Sequence, residues 1–411
     1  MLLYLHKNNT SLKGLLVHKL LIRHPLAVIV LAQLLGTSLW FSINGVAFNL
    51  TQTTGLTEAG LGYLTLAVQS GFIIGTLLLA TTGLADRFPA SRVFALAALA
   101  GALINGLFIL VAELFPLALL LRFLTGLCLA GIYPLGMKLV ISWTPQYAGR
   151  ALGWLVGMLT LGTALPHFLR AATPGLAWPL PLLLSSVLAV VGGFLVWRLG
   201  EGQELPRHNK GALPFQGLAA WRDTRFRRIS MGYFGHCWEL YAFWTLVPFL
   251  VAREVTRLDW AAGWVSGLSF SIIALGCIGC IWGGRISRQL GSLSVARGML
   301  LTSGVLCLLY PLIGGWPAWT LLLLLALWGF TVIADSPQFS ALASANAPRE
   351  HLGSALAMMN AIGFGLTLPS IALVTHYWTD WELWVLLALL PGPLVGLWAI
   401  FRLKRSQLQE I

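Results

Sequence analysis

The sequence predicts an all-α polytopic membrane protein with twelve transmembrane helices in two pseudo-symmetric six-helix bundles. Three observations carry that prediction. Hydrophobic residues make up 57% of the chain and charged residues 10%, where a soluble domain carries about 25% charged residues. The apolar residues fall into runs long enough to cross a bilayer core, which takes about 20 helical residues. And the second half of the chain repeats landmarks of the first.

The runs place spans at 26–48, 58–82, 93–113, 115–143, 149–172, 177–199, 229–252, 260–282, 294–315, 317–344, 351–376 and 381–402. Each is expected to be helical, because backbone groups in lipid have no water to bond. The first follows a basic stretch holding Lys7, Lys13, Lys19 and Arg23. It is too long for a signal-peptide core and lacks a clear cleavage site, so it reads as a retained helix. The fourth and tenth are long enough to tilt or protrude. Tryptophans cluster near span ends (Trp143, Trp178, Trp197, Trp260, Trp316, Trp378), as an interfacial anchoring belt does.

The longest break, 200–228, divides six spans from six. It reads as a linker that ends in a basic helix (Arg222, Arg225, Arg227, Arg228) lying on anionic lipid; a regulatory or partner site is the other reading. The domains expected are an N-terminal tail at 1–25, a six-helix bundle at 26–199, the linker at 200–228, a second bundle at 229–402 and a tail at 403–411. Shifting the first half by 203 positions sets Gly126 on Gly329, Pro134 on Pro337, Pro145 on Pro348, Gly162 on Gly365 and Pro166 on Pro369. Gly and Pro are hard to replace because their effect is on the backbone. Two copies of one six-helix fold follow, related by an axis along the membrane normal.

The net charge of +12 raises the possibility of a nucleic-acid partner, and its distribution removes it. Of 26 Lys and Arg, 22 fall in the N-terminal tail, the even-numbered loops and the C-terminal tail or within a few residues of them; Arg170, Arg253 and Arg257 lie in or beside the opposite loops and Arg122 lies deep inside a span. This is the positive-inside pattern, which places both termini in the cytoplasm and the chain in a plasma (inner) membrane. The five cysteines all lie in apolar spans, where they act as small apolar residues. Even Cys277 and Cys280, with metal-like spacing, lack a second ligand pair.

The turn Gly83-Leu84-Ala85-Asp86-Arg87-Phe88 lies between the second and third spans, and Gly284-Arg285-Ile286-Ser287-Arg288 occupies the equivalent place in the second half. On these residues the chain resembles the major facilitator superfamily of secondary transporters, whose turn reads Gly-x-x-x-Asp-Arg/Lys-x-Gly-Arg/Lys-Arg/Lys. Asp86 and Arg87 fit it, with Arg92 one residue past its last basic position; Thr82 and Pro89 replace its glycines. The second copy keeps Gly283 and Arg288 but has Ser287 for Asp. Arg122-Phe-Leu-Thr-Gly126 is similar to the family's Arg-x-x-x-Gly motif on helix four. The fifth span holds Gly153, Gly157, Gly162 and Pro166 but no Gly-Pro pair, so the family's antiporter marker is missing. The resemblance implies alternating access about a central site lined by helices 1, 4, 7 and 10. It also implies a cytoplasmic gate at Asp86, Arg87, Arg92 and Arg288, with Asp86 set against the start of the eleventh span, where a carboxylate meets the positive end of a helix dipole.

Ionisable groups inside a membrane are costly and by default mark a pathway. Arg122 reads as an anion-binding or coupling residue, or as a packing arginine bonded to carbonyls of a neighbouring span. His236 and Glu239 are three apart in the seventh span, hence on one helix face; the pair reads as a proton relay, or as a static bond that fixes the helix. Asp335 precedes Pro337, which bends the tenth span, and its counterpart under the shift is Ile132. It reads as a coupling or gating group, or as a structural ion pair or cap. Lys138 reads as snorkelling to the interface. Among neutral polar residues, Asn44, Tyr133 and Gln338 are the cavity candidates. Trp40, Phe41, Trp238, Tyr241 and Trp328 form either an aromatic wall or ordinary packing.

No nucleotide-binding loop, metal cluster or facing nucleophile and base is present in the sequence. No cofactor or enzymatic activity is therefore expected, and an ion gradient is the expected energy source. The expected function is a proton-coupled, monomeric secondary transporter moving a small-molecule substrate. An uncoupled facilitator, or a non-transporting membrane sensor of the same fold, is the alternative. Arg122 favours an anionic solute and the carboxylates favour a cation.

Overall fold

The computed structural model describes residues 21–82, 88–144, 148–202, 220–347 and 352–404, and these are helical nearly throughout. The helices are α1 (Pro25–Thr37), α2 (Ala47–Thr54), α3 (Glu58–Thr82), α4 (Ala90–Val111), α5 (Phe115–Ala130), α6 (Tyr133–Trp143), α7 (Ala148–Ala171) and α8 (Pro179–Leu199) in the first half. The second half holds α9 (Thr224–Arg257), α10 (Trp264–Leu290), α11 (Ser292–Leu312), α12 (Ala318–Thr331), α13 (Ser336–Asn346), α14 (Leu352–His376), α15 (Trp378–Trp381) and α16 (Pro391–Phe401). Among the described residues, ten spans are long and apolar enough to cross a membrane. The first and seventh expected spans fall outside that group. The first is divided between the 13-residue α1 and the short α2. The seventh, within the 34-residue α9, is diluted by polar and aromatic side chains.

The fourth and tenth spans are interrupted rather than simply tilted. Residues 131–132 separate α5 from α6, and residues 332–335 separate α12 from α13. In each case the proline, Pro134 or Pro337, is the second residue of the new helix. There its missing N–H leaves no ladder bond unmade. The two restarted helices, Tyr133–Trp143 and Ser336–Asn346, lie 203 positions apart at both ends.

Packing repeats as well. In the first half α3 packs on α5, α4 and α1 on α8, and α1 on α7; in the second half α10 packs on α12, α11 and α9 on α16, and α9 on α14. The halves meet along two seams, α7 against α10 and α3 against α14. Gly126 and Gly329 are the crossing points inside each half. A Cβ on Gly126 would lie 1.9 Å from the Val68 carbonyl oxygen, and one on Gly329 would lie 2.0 Å from the Ile272 oxygen. Small residues allow such backbone approach. The Gly162–Gly365 match is different. Gly162 seats against Leu34 and Thr37, whereas Gly365 faces open space and Gly363 makes the close approach, to Tyr233 and Cys237.

The helix of the seventh span begins at Thr224, capped by the Asp223 carboxylate, which accepts from the Arg225 and Phe226 amides. The basic run at 225–228 is therefore the first turn of a long membrane helix, not a separate surface helix. The Arg228 guanidinium donates to the Arg402 carbonyl at 2.7 Å, and Glu201 accepts from the Ala90 amide. These contacts gather one end of the molecule, the basic end; the opposite one is the far end.

Candidate functional site

Arg122 of α5 is fully buried. It donates to the carbonyls of Leu39 (3.2 Å) and Trp40 (2.7 Å), to Ser42 Oγ (3.2 Å) and to Asn105 Oδ1 (3.0 Å). Asn105 in turn donates to the Leu182 carbonyl and Ser186 Oγ on α8. Between α1 and the short 3₁₀ turn Asn44–Val46 the chain leaves the α-helix over residues 38–43, which frees carbonyls that must find donors. Arg122 supplies them. Its guanidinium is committed inside the first half, the packing alternative of the sequence reading.

Glu239 of α9 is the corresponding polar node of the second half. It accepts from Trp328 Nε1 (2.7 Å), Ser303 Oγ (2.9 Å) and Cys307 Sγ (3.4 Å). The helices involved, α9, α11 and α12, are the repeat counterparts of those that hold Arg122. The equivalent node thus centres on an arginine in the first half and on a glutamate in the second.

His236 pairs with Asp335, not with Glu239. Its Nδ1 lies 2.7 Å from Asp335 Oδ1, and both side chains are almost wholly buried. The second Asp335 oxygen receives no side-chain donor among the described residues. The pair joins α9 to the interruption before α13, near mid-depth. The His236 ring is packed by Tyr233 (5.9 Å) and Phe339 (6.3 Å). Gln338 is buried one turn beyond Asp335, near Gly283.

The aromatic wall forms in part. Trp40, Phe41 and Phe72 of the first half meet Tyr241, Trp244 and Phe364 of the second at ring separations of 4.8 to 6.3 Å. Tyr133 joins through Phe72 at 6.5 Å. Trp238 turns away and donates to the Ala388 carbonyl, against the last span. Asn44 is tied to Thr65 within the first half. Gln69 links the halves: it accepts from Trp40 Nε1 (3.1 Å) and donates to Thr367 Oγ1 (2.8 Å).

The seams are closed at mid-depth and at the far end. A Cβ on Gly62 would lie 2.3 Å from Thr375 Oγ1, and the Phe168 ring packs at a tilt against Phe270, 5.2 Å away. On α7 and α10, Gly157 abuts Cys277. One to two turns nearer the basic end on the same faces, Gly153 and Gly284 have no heavy atom within 4 Å of an added Cβ. The α7–α10 seam splays toward the basic end.

Of the gate residues, Asp86 and Arg87 lie outside the described residues, as does residue 351 at the start of the eleventh span. Arg92 and Arg288 are exposed at the basic end. At the far end sits a buried carboxylate that span assignment missed. Glu254 is held by Arg253, by Arg257 (2.6 Å) and by Tyr310, and both arginines donate to the Gly314 carbonyl. Its i,i+3 relation to Arg257 was readable from sequence, but its burial was not.

Known proteins agree with this architecture. The sequence matches the Major Facilitator Superfamily profile over residues 29–369. No curated protein matches in sequence. A bacterial homologue of the human lysosomal transporter Spinster, in an inward-facing and occupied conformation, superposes with a TM-score of 0.64 at 14% identity, covering 92% of this chain and 94% of the other. FucP in its outward conformation gives 0.66 at 16%, covering 92% and 99%. The nucleoside transporter NupG, in a mutant form, gives 0.69 at 14%, covering 92% and 98%. At these identities the structures speak to the fold, and the sequence profile covers most of the chain. The chain is therefore a member of the Major Facilitator Superfamily, a multi-pass membrane transporter rather than an enzyme.

Proposed function

We propose that this transporter moves a small solute by alternating access and couples the movement to protons through His236 and Asp335. One observation carries the reading: a buried acid–imidazole pair, 2.7 Å apart, bridges a continuous helix to an interrupted one at mid-depth. An imidazole and a carboxyl in contact can pass a proton between them, and an ionisable pair within the membrane is the usual place for a relay. The chain interruption beside Asp335 lets a change of protonation act on the angle between α12 and α13. Glu239, with three donors already aimed at it, acts as a fixed node. Arg122 acts by holding residues 38–43 in place.

The basic end faces the cytoplasm in this reading, since the positive-inside pattern applies to it. The structure then represents a state shut on the outer side and parting on the inner side. The Asp86 turn remains the proposed inner latch, with Arg87, Arg92 and Arg288 around it. The chain is proposed to work as a monomer in a plasma (inner) membrane.

The test is Asp335→Asn in proteoliposomes. Gradient-driven accumulation of solute is expected to be lost while counterflow exchange, measured at saturating solute, is retained, because exchange needs no net proton movement. Full gradient-driven activity in Asp335→Asn would remove the coupling assignment.

A further inference from the structure

We infer that the site between the halves takes an organic cation with an aromatic or otherwise apolar body. The inference rests on the transport reading above and names its cargo class. It follows from what the mid-depth layer offers a solute and what it withholds.

It offers ring faces first. Trp40 and Phe41 from one half and Tyr241 and Phe364 from the other approach within 5.5 to 6.3 Å of one another. Parting the halves would expose them on both sides of a slot. Aromatic faces attract cations and pack against apolar bodies. It offers an acid second. Gly363, beside Phe364, abuts Tyr233 and Cys237; the Tyr233 ring adjoins His236, and His236 contacts Asp335. A run of contacts therefore links the rings to the acid, and one Asp335 oxygen takes no side-chain donor. A positive charge moved out of water needs an opposite charge within reach, and Asp335 meets that need.

What the layer withholds is an available arginine or lysine. Arg122 is the one fully buried arginine or lysine among the described residues. Its terminal N–H groups are spent on Leu39, Trp40, Ser42 and Asn105, inside the first half. Lys138 is half-buried, nearer the basic end, and already engaged. An anionic solute would meet ring faces and carboxylates.

The test uses the full chain in lipid nanodiscs, with empty nanodiscs as the blank. Three probes of matched aromatic character are compared: tetraphenylphosphonium (cation), benzoate (anion) and uridine (neutral). The expected result is saturable tetraphenylphosphonium binding, read by tryptophan quenching, that a large excess of benzoate does not displace. Asp335→Asn is expected to raise its dissociation constant by about tenfold or more, equivalent to one lost charge contact. Competition with benzoate needs no substitution, so a poorly folded variant would leave that arm decisive. Three results would overturn the inference: no saturable tetraphenylphosphonium binding, tighter binding of benzoate or uridine, or cation binding that a folded Asp335→Asn protein retains in full. Proton movement is read separately with a trapped pH dye. Saturable cation uptake without proton movement would overturn the coupling and sustain the cargo class.

Discussion

The far-end seam offers a direct way to perturb the conformational balance. Gly62 on α3 faces Thr375 on α14, and a methyl at Gly62 would lie 2.3 Å from the threonine Oγ1 and 2.6 Å from its Cβ. Rotating the hydroxyl away relieves the first clash. The second involves a Cβ, which cannot rotate, so the helices must separate. Overpacking of this kind costs about 1–3 kcal/mol. The contact lies between the halves, so the cost is present when the far end is shut and vanishes when it opens. A differential of that size shifts the closed-to-open ratio by roughly 5- to 150-fold. The assay is pulsed dipolar spectroscopy on spin-label pairs placed across each end, in nanodiscs, for the parent protein and Gly62→Ala. The far-end distance distribution is expected to move to longer values and the basic-end distribution to shorter ones. Adding Thr375→Gly removes the obstructing Cβ and is expected to restore the parent distribution. Unchanged distances in Gly62→Ala, with unchanged melting temperature, would refute the closed-seam geometry.

Further outcomes follow from the same contacts. Gly126→Ala and Gly329→Ala place a methyl against a backbone oxygen inside one half, so each is expected to lower the melting temperature, by about 1–3 kcal/mol of stability, without moving the end-to-end distances; Gly365→Ala, with open space at its Cβ, is the silent control. Gln69→Leu removes the bond to Thr367 that spans the halves, and an interhelical bond in lipid is worth about 0.6 kcal/mol, so spectroscopy is expected to show roughly a threefold shift toward the far-end-open state. Glu254→Gln leaves two arginines facing a neutral partner at the far end and is expected to lower thermal stability while leaving any pH dependence of transport intact.

The sequence made the repeat legible because its markers act on backbone. Pro134 and Pro337 restart helices at equivalent positions, and Gly126 and Gly329 each meet a carbonyl oxygen. Neither effect depends on a distant partner. The interruption after Thr37 was not legible. No proline lies within residues 38–43, and the donors that make it tolerable come from Arg122, some 80 residues on. The choice of partner for His236 was hidden for the same kind of reason. Helical spacing set His236 and Glu239 on one face, but neighbouring helices divided the two residues, Asp335 taking one and Trp328 with Ser303 the other. Trp238 shares the helix with Tyr241, yet it faces the last span. Periodicity fixes which residues share a face; only packing decides what that face meets.

The measurement that bears most directly on the account asks which buried carboxyl exchanges a proton. Infrared difference spectra of the protein in lipid, recorded across a pH titration, report carboxyl protonation through its C=O band. A band that disappears in Asp335→Asn and persists in Glu239→Gln is expected. A band that persists in Asp335→Asn and disappears in Glu239→Gln would move the relay to the other node and contradict the coupling assignment.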